Sequence, residues 1–113
     1  MNTDMKVTNG VGTVTRLYIE GAQALDPVTV LIEDILPGAG RITIICWGEV
    51  WTGFWGGMSG RSVGEFFLSE NSEYLAKNLW GGQKYTKAKA VYLLRIIEAV
   101  KSGLAVEAAR RQA

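Results

Sequence analysis

The apolar pattern of this chain changes its period once, and the change falls at the glycine-rich stretch Gly56–Gly60. Before this stretch, apolar and β-branched residues alternate with polar ones, which is the period of a half-buried β-strand. After it, apolar residues recur at helical spacing, most clearly over Ala90–Val100. A chain with strands first and helices second predicts an α+β fold, with the helices packed on one face of an antiparallel sheet.

Four alternating segments predict β-strands: Gly12–Glu20, Val28–Glu33, Arg41–Trp47 and Val50–Trp55. Pro37-Gly38 predicts that the second and third strands form an antiparallel hairpin with a longer loop. Gly48-Glu49 is typical of a tight turn or a bulge, so the last segment is either a strand of its own or a continuation of the third. We therefore expect a sheet of three to four strands.

The first helical segments carry recognisable start signals. Ser62 and Glu65 stand at the spacing of a capping box, which predicts a helix directly after Ser62. Asn71 or Ser72 can cap a second short helix that runs to about Leu79. The two segments form either separate helices or one broken helix.

The longest predicted helix is Lys87–Ser102, with Thr86 as its N-cap. Gly103 suits the position just after a helix end, where glycine is favoured. Leu104–Arg111 then predicts a last short helix. In total we expect two to four helices.

Length and charge limit the organisation and the partners. The chain has 113 residues, which fits one α+β domain over residues 11–113 after a flexible N-terminus over residues 1–10. The net charge of +1 argues against a protein whose affinity comes mainly from neutralising phosphates. A polar N-terminus without a signal peptide, and the lack of an apolar stretch long enough to span a membrane, predict a cytoplasmic protein with no membrane partner.

The residues for the commonest enzyme chemistries are missing. The chain has no histidine and one cysteine, Cys46. This excludes Ser-His-Asp and Cys-His catalysis, and it leaves a zinc site with mostly carboxylate ligands, which is unusual. We expect no catalysis, no metal and no cofactor, and Cys46 is expected to be a packed thiol.

Three of the four tryptophans lie between Arg41 and Arg61. If one strand runs through Gly48 without a slip, the residues of this segment sort into two faces. An apolar face then holds Ile42, Ile44, Cys46, Val50 and Phe54, and an aromatic face holds Trp47, Trp51 and Trp55 with Arg41. The aromatic face is either covered by the helices or exposed as a binding surface. A one-residue slip at Gly48 would move Trp51 and Trp55 to the opposite side.

The glycine-rich turn after the tryptophans permits two interpretations. It is either a structural strand-to-helix turn or an anion site built on a helix N-terminus. The candidate anion-binding residues are Gly56, Gly57, Gly60, Arg61 and Ser62. The spacing is not that of a Walker motif, because no Gly-Lys-Ser/Thr follows.

Several segments resemble a family of small uncharacterised accessory proteins from tailed-phage and prophage genomes of enteric bacteria. The resemblance covers about residues 14–80 and rests on Thr15–Glu20, Leu25–Val30, Gly40–Ile44, Trp55–Met58, Phe66-Phe67 and Tyr74–Leu79. It implies a phage protein in a bacterial host cell, and it implies no activity or site residues.

Together these observations lead us to expect a small phage-type accessory protein that binds a host or phage macromolecule, most simply a protein. Inhibitors of host defence are one class that fits. The alternative is a single-stranded nucleic-acid-binding protein that stacks bases on the aromatic face. A homodimer is compatible with both, because an exposed aromatic face or an open sheet edge is often covered by another chain.

Overall fold

The computed structural model describes residues 14–112, so the N-terminus predicted to be flexible, residues 1–10, lies outside the described residues. Four antiparallel strands form one sheet in chain order: β1 Val14–Ile19, β2 Val28–Leu36, β3 Ala39–Cys46 and β4 Glu49–Trp55. Three helices follow: α1 Val63–Ser69, α2 Ser72–Trp80 and α3 Lys87–Gln112. The predicted α+β fold, with an N-terminal antiparallel sheet followed by helices, is confirmed.

The two hairpins that follow β2 both have two-residue turns. β2 and β3 extend toward each other until only Pro37 and Gly38 separate them, and a bulge lies between Asp34 and Leu36. β3 and β4 are separated by Trp47 and Gly48, with Cys46 paired to Glu49. The predicted long loop between the second and third strands is therefore wrong, because the strands continue pairing into the turn.

The helices cover one face of the sheet and form the core with it. From β2 and β3 this face contributes Val28, Val30, Ile32, Ile42, Ile44 and Cys46, all of them buried. The longest helix, α3, contributes Leu93, Ile96, Ile97, Val100 and Leu104. Burial of this apolar surface is the main source of stability, at about 25 cal/mol for each Å² removed from water.

The predicted helix starts are confirmed. The Ser62 hydroxyl accepts from the Glu65 N–H at 3.2 Å, and the Glu65 carboxylate accepts from the Ser62 N–H at 2.9 Å. Asn71 rather than Ser72 caps α2, because its side-chain oxygen accepts from two backbone N–H groups. Thr86 accepts from the Lys89 N–H at 3.1 Å at the start of α3.

The predicted end of the long helix at Gly103 is wrong. α3 continues through Gly103 to Gln112, so the expected fourth helix is the last part of the third. A Cβ at position 103 would lie 2.5 Å from Cδ1 of Ile19 on β1. Gly103 therefore marks a close contact between α3 and the Ile19 side chain, and not the end of the helix.

Candidate binding face

The Trp47–Gly48 turn reverses the face assignment of the tryptophans. β4 is a separate strand, and Trp51 pairs with Ile44 on the face that the helices cover. Trp51 and Trp55 are therefore buried, with 4% and 7% of their surface exposed. The predicted aromatic face of Trp47, Trp51 and Trp55 does not exist, because the two turn residues restart the alternation.

The two buried tryptophans join the sheet to the helices. The ring of Trp51 lies 6.0 Å from that of Tyr92 on α3, and the ring of Trp55 lies 5.2 Å from that of Phe66 on α1. The indole N–H of Trp55 is buried without a hydrogen-bond partner among the described residues. Their role in the fold is packing, which removes them as candidates for contact with a partner.

The opposite face of the sheet is left uncovered by residues 14–112. None of its side chains is buried, whereas the helix-side positions of β2, β3 and β4 are buried almost throughout. Strand pairing places twelve residues on this face, which we call the open face. They are Val14, Arg16 and Tyr18 of β1; Thr29, Leu31 and Glu33 of β2; Arg41, Thr43 and Ile45 of β3; and Val50, Thr52 and Phe54 of β4.

Half of the open face is apolar or aromatic. One row of cross-strand partners near the Trp47–Gly48 turn consists of Tyr18, Thr29, Ile45 and Val50. The row at the other end includes Val14 and Phe54 at the two sheet edges. Val50 and Phe54 are each 58% exposed, Val14 is 55% exposed and Tyr18 is 51% exposed. Exposed apolar and aromatic side chains gathered on one sheet face are typical of a site for another macromolecule.

The charged residues of the open face already have partners within it. Arg41 forms an ion pair with Glu33 on the neighbouring strand, with 3.3 Å between Nη1 and Oε1. The Arg16 guanidinium lies 5.3 Å from the centre of the Tyr18 ring. Two arginines and one glutamate make the face weakly positive. Arg41, predicted to be a binding residue, does lie on the exposed side of the sheet.

Trp47 is the most exposed large apolar residue in the described part of the chain, at 82%. Its backbone φ is +57°, a left-handed conformation that costs a bulky residue about 1–2 kcal/mol. The side chain therefore gains little from the fold and occupies a position that glycine or asparagine would suit better. Strained, exposed residues of this kind are found at functional sites, and Trp47 lies in the turn directly beyond the Cys46–Glu49 pair.

The geometry argues against an anion site at the glycine-rich turn. Arg61 donates to the Met58 carbonyl oxygen at 2.9 Å and to the Ser69 hydroxyl at 2.6 Å, and it pairs with Glu70. Its guanidinium also lies 4.8 Å from the centre of the Phe66 ring. The predicted anion-binding arginine instead links the turn to α1.

Two carboxylates of the chain itself accept hydrogen bonds from the backbone N–H groups at the N-terminus of α1. The Ser62 N–H donates to Glu65, and the Val63 N–H donates to Asp34 at 2.7 Å. The hydrogen bond with Ser62 holds the pKa of the Glu65 carboxyl below its usual value. Gly56, Gly57 and Gly60 are exposed in the turn, which supports the structural interpretation of this segment.

Cys46 is a packed thiol, as expected. It is fully buried, and its sulfur accepts a hydrogen bond from the Tyr92 hydroxyl at 3.4 Å. This bond, together with burial, raises the pKa of Tyr92 to about 12. No cluster of three histidine, cysteine or carboxylate side chains that could hold a metal ion is present among residues 14–112.

The sequence interpretation missed Tyr18, Val50 and Phe54 as exposed residues of one face. One sequence signal could have found them: Trp47 and Gly48 are two residues between two alternating segments, and two residues is the commonest length of a β-hairpin loop. If Trp47 and Gly48 form the turn instead of Gly48 and Glu49, then Trp51 and Trp55 face the helices, and Val50 and Phe54 face the other side. Of the predicted binding residues, the structure leaves Trp47 and Arg41 accessible.

A four-stranded meander with helices on one side and an uncovered apolar face on the other defines a two-layer α+β protein. The chain matches, over residues 5–87, the model of a family described as a phage family, and it belongs to that family. No curated protein and no solved structure matches it. Within the described part of the chain, no helix is both long and apolar enough to cross a membrane.

Proposed function

We propose that this phage protein acts by binding a protein partner on the open face of its sheet, without catalysis. The observation that carries the proposal is the uncovered face itself, half of whose residues are apolar or aromatic. On the resemblance described above, the chain would be an accessory protein of tailed phages or prophages of enteric bacteria, acting in the host cytoplasm. A partner from a host-defence system would make it an inhibitor.

Charge favours a protein partner over a nucleic acid. Arg41 is neutralised in part by Glu33, and Arg16 lies over the Tyr18 ring, so the open face offers few cations for a phosphate backbone. Nucleic-acid sites draw most of their affinity from lysine and arginine contacts with phosphates. Protein interfaces instead favour aromatic residues and arginine over an apolar centre.

Trp47 is the residue most suited to be an interface anchor. Tryptophan, tyrosine and arginine dominate the energetics of measured interfaces. Trp47 supplies a large exposed ring in the turn between β3 and β4, at a position with a strained backbone. Its removal should weaken partner binding more than it changes the fold.

The test is affinity capture from nuclease-treated lysate of a phage-infected bacterial culture. We expect the wild-type chain to retain one protein that Trp47→Gly and Phe54→Ser fail to retain. Tyr85→Ser is the matched control, because Tyr85 is an aromatic residue, 67% exposed, that lies outside the open face. In NMR spectra of the purified complex, the side-chain methyl groups of Leu31, Ile45 and Val50 on the open face should then shift.

Retention of the same protein by all four chains would contradict the proposal. So would binding that disappears with nuclease treatment, which would favour the nucleic-acid alternative. The third alternative is that a second copy of the chain binds the open face. Sedimentation would then show a dimer that Phe54→Ser dissociates, and that result would also contradict the proposal of a different protein as the partner.

A further inference from the structure

A groove of about 730 Å³ runs along the free edge of the sheet, between β1 and the C-terminal half of α3. Six consecutive residues of the sheet side, Thr15–Glu20, line it. Side chains in a strand alternate between the two faces of the sheet, so those of six consecutive residues cannot all point to one face. Consecutive residues border the same groove when the groove runs along the edge of the strand and meets its backbone. The groove therefore exposes the hydrogen-bonding edge of β1.

β1 has no strand partner on this side among residues 14–112, because the sheet order begins with it. Natural proteins usually blunt such an edge with proline, a bulge or a short strand. β1 has six residues without proline, and it pairs with β2 in continuous register. Its unpaired backbone groups are a template for one more strand.

The other wall of the groove leaves room beside this edge. α3 presents small side chains there, at Ala99 and Ser102, whereas at Gly103 the helix is in close contact with the Ile19 side chain. The half-buried residues Leu17 and Ile19 of β1 lie at the base. A segment paired with β1 would place every second side chain against this apolar base and the others toward the solvent.

Charged side chains also line the groove. Glu98 accepts a hydrogen bond from Ser72, and Glu107 pairs with Arg110 and Arg111. Arg95 lines the groove without an ion pair among the described residues. Arg95 is therefore a cation available to an acidic side chain of a partner, in a groove that also carries the Glu20 carboxylate.

We propose that this edge groove is a second binding site, which borders the open face at Arg16 and Tyr18 and takes an extended peptide segment of a partner protein as a fifth strand beside β1. The peptide supplies backbone hydrogen bonds to β1, alternating small apolar side chains to the groove and a carboxylate to Arg95. At about 3.3 Å for each residue, the six residues of β1 hold a segment about 20 Å long. Addition of a strand to an exposed sheet edge is a general mode of peptide recognition.

The test uses a synthetic peptide of alternating valine and threonine with an aspartate at each end, titrated into the full-length chain. We expect the backbone amides of β1 to shift in NMR spectra and to become protected from hydrogen exchange. The matched probe is the same peptide N-methylated at every internal residue, which removes the hydrogen-bond donors on both edges of the strand. It should bind at least about tenfold more weakly, because it cannot donate the backbone hydrogen bonds that pair it with β1.

Chain variants locate the site. Ser102→Trp fills the groove and should abolish binding, whereas Ala105→Trp places the same side chain at an exposed position of α3 outside the groove. Val106→Trp is a second blocking variant. Arg95→Glu should weaken binding about fivefold, and Lys89→Glu, an equal change of charge elsewhere on α3, should leave it unchanged. Phe54→Ser should bind the peptide like wild type, which separates this site from the open face.

Several results would overturn the proposal. They are equal binding of the N-methylated probe, amide shifts confined to β2, β3 and β4, unchanged binding by both folded blocking variants, and no binding at all. Shifts of β1 amides that depend on protein concentration without peptide would assign the edge to a second copy of the chain, and would overturn it as well.

Discussion

The Val63 backbone N–H donates to the Asp34 carboxylate at 2.7 Å, so the bulged end of β2 caps the first turn of α1 from 29 residues away. Carboxylates at a helix N-terminus stabilise it by satisfying an unpaired donor and by interacting with the helix dipole. This contact joins the last part of the β2–β3 hairpin to the helical layer.

Asp34→Ala should therefore lower the free energy of unfolding by about 1 kcal/mol, because it leaves the Val63 N–H unpaired. Urea unfolding followed by circular dichroism measures this loss. The matched control is Glu33→Ala, which removes only an exposed ion pair with Arg41 and should change stability by less than about 0.5 kcal/mol. Equal losses for the two variants would contradict the role of Asp34 as a cap.

The contact between Gly103 and Ile19 predicts a coupled pair of mutations. In wild type, an alanine at position 103 would meet Cδ1 and Cγ1 of Ile19 at 2.5 Å and 2.9 Å. In an Ile19→Ala background the space is open, and alanine should then stabilise α3 by up to about 1 kcal/mol relative to glycine.

The double-mutant cycle measures this difference by thermal or urea unfolding. We expect Gly103→Ala to be less favourable in wild type than in Ile19→Ala, with a coupling energy of about 1 kcal/mol or more. Additive effects would mean that position 103 is not limited by β1.

The strained turn predicts that the exposed tryptophan is not needed for folding. Trp47→Gly should leave stability unchanged or raise it by about 1 kcal/mol, because glycine adopts positive φ freely and little buried area is lost. Trp51→Ala, four residues on, should instead cost about 3–5 kcal/mol, because Trp51 is buried against Tyr92. If the two variants have similar melting temperatures, the hairpin register described above is wrong.

Tyr92 predicts a loss of stability in alkaline solution. Its pKa is raised from 10.0 to about 12, first by the hydrogen bond to Cys46 and then by burial. The folded protein thus holds the hydroxyl proton more tightly than the unfolded chain does. The resulting stabilisation is fully present below pH 10 and is lost as the pH rises toward 12.

Tyr92→Phe removes this contribution. The stability of wild type relative to Tyr92→Phe should therefore fall between pH 10 and pH 12. Cys46→Ala, which removes the largest cause of the shift, should show a smaller fall than wild type does. A constant difference between wild type and Tyr92→Phe over this range would show that the hydroxyl titrates alike in the folded and unfolded states.

Short sequence motifs predicted where the helices and strands begin better than they predicted how these elements pack against one another. The capping box of Ser62 and Glu65 and the N-cap at Thr86 act within one helical turn, so they could be read directly from the chain. Gly103 carried a local signal of the same kind, and that prediction was wrong because the close approach of Ile19, 84 residues earlier, decides what can stand there. A contact between residues so far apart in the chain does not change the periodicity of the sequence, so the sequence pattern could not predict it.

The sequence by itself determined the class of the fold, the order of its elements and the lack of histidine-based chemistry, because these depend on periodicity, capping and composition. Only the tertiary structure decided which face of the sheet the helices cover and which face they leave open. In a strand that choice depends on the parity of single residues, and the two-residue turn at Trp47 and Gly48 reversed it. Trp51 and Trp55 became core, Tyr18, Val50 and Phe54 became surface, and Trp47 stayed accessible at the turn.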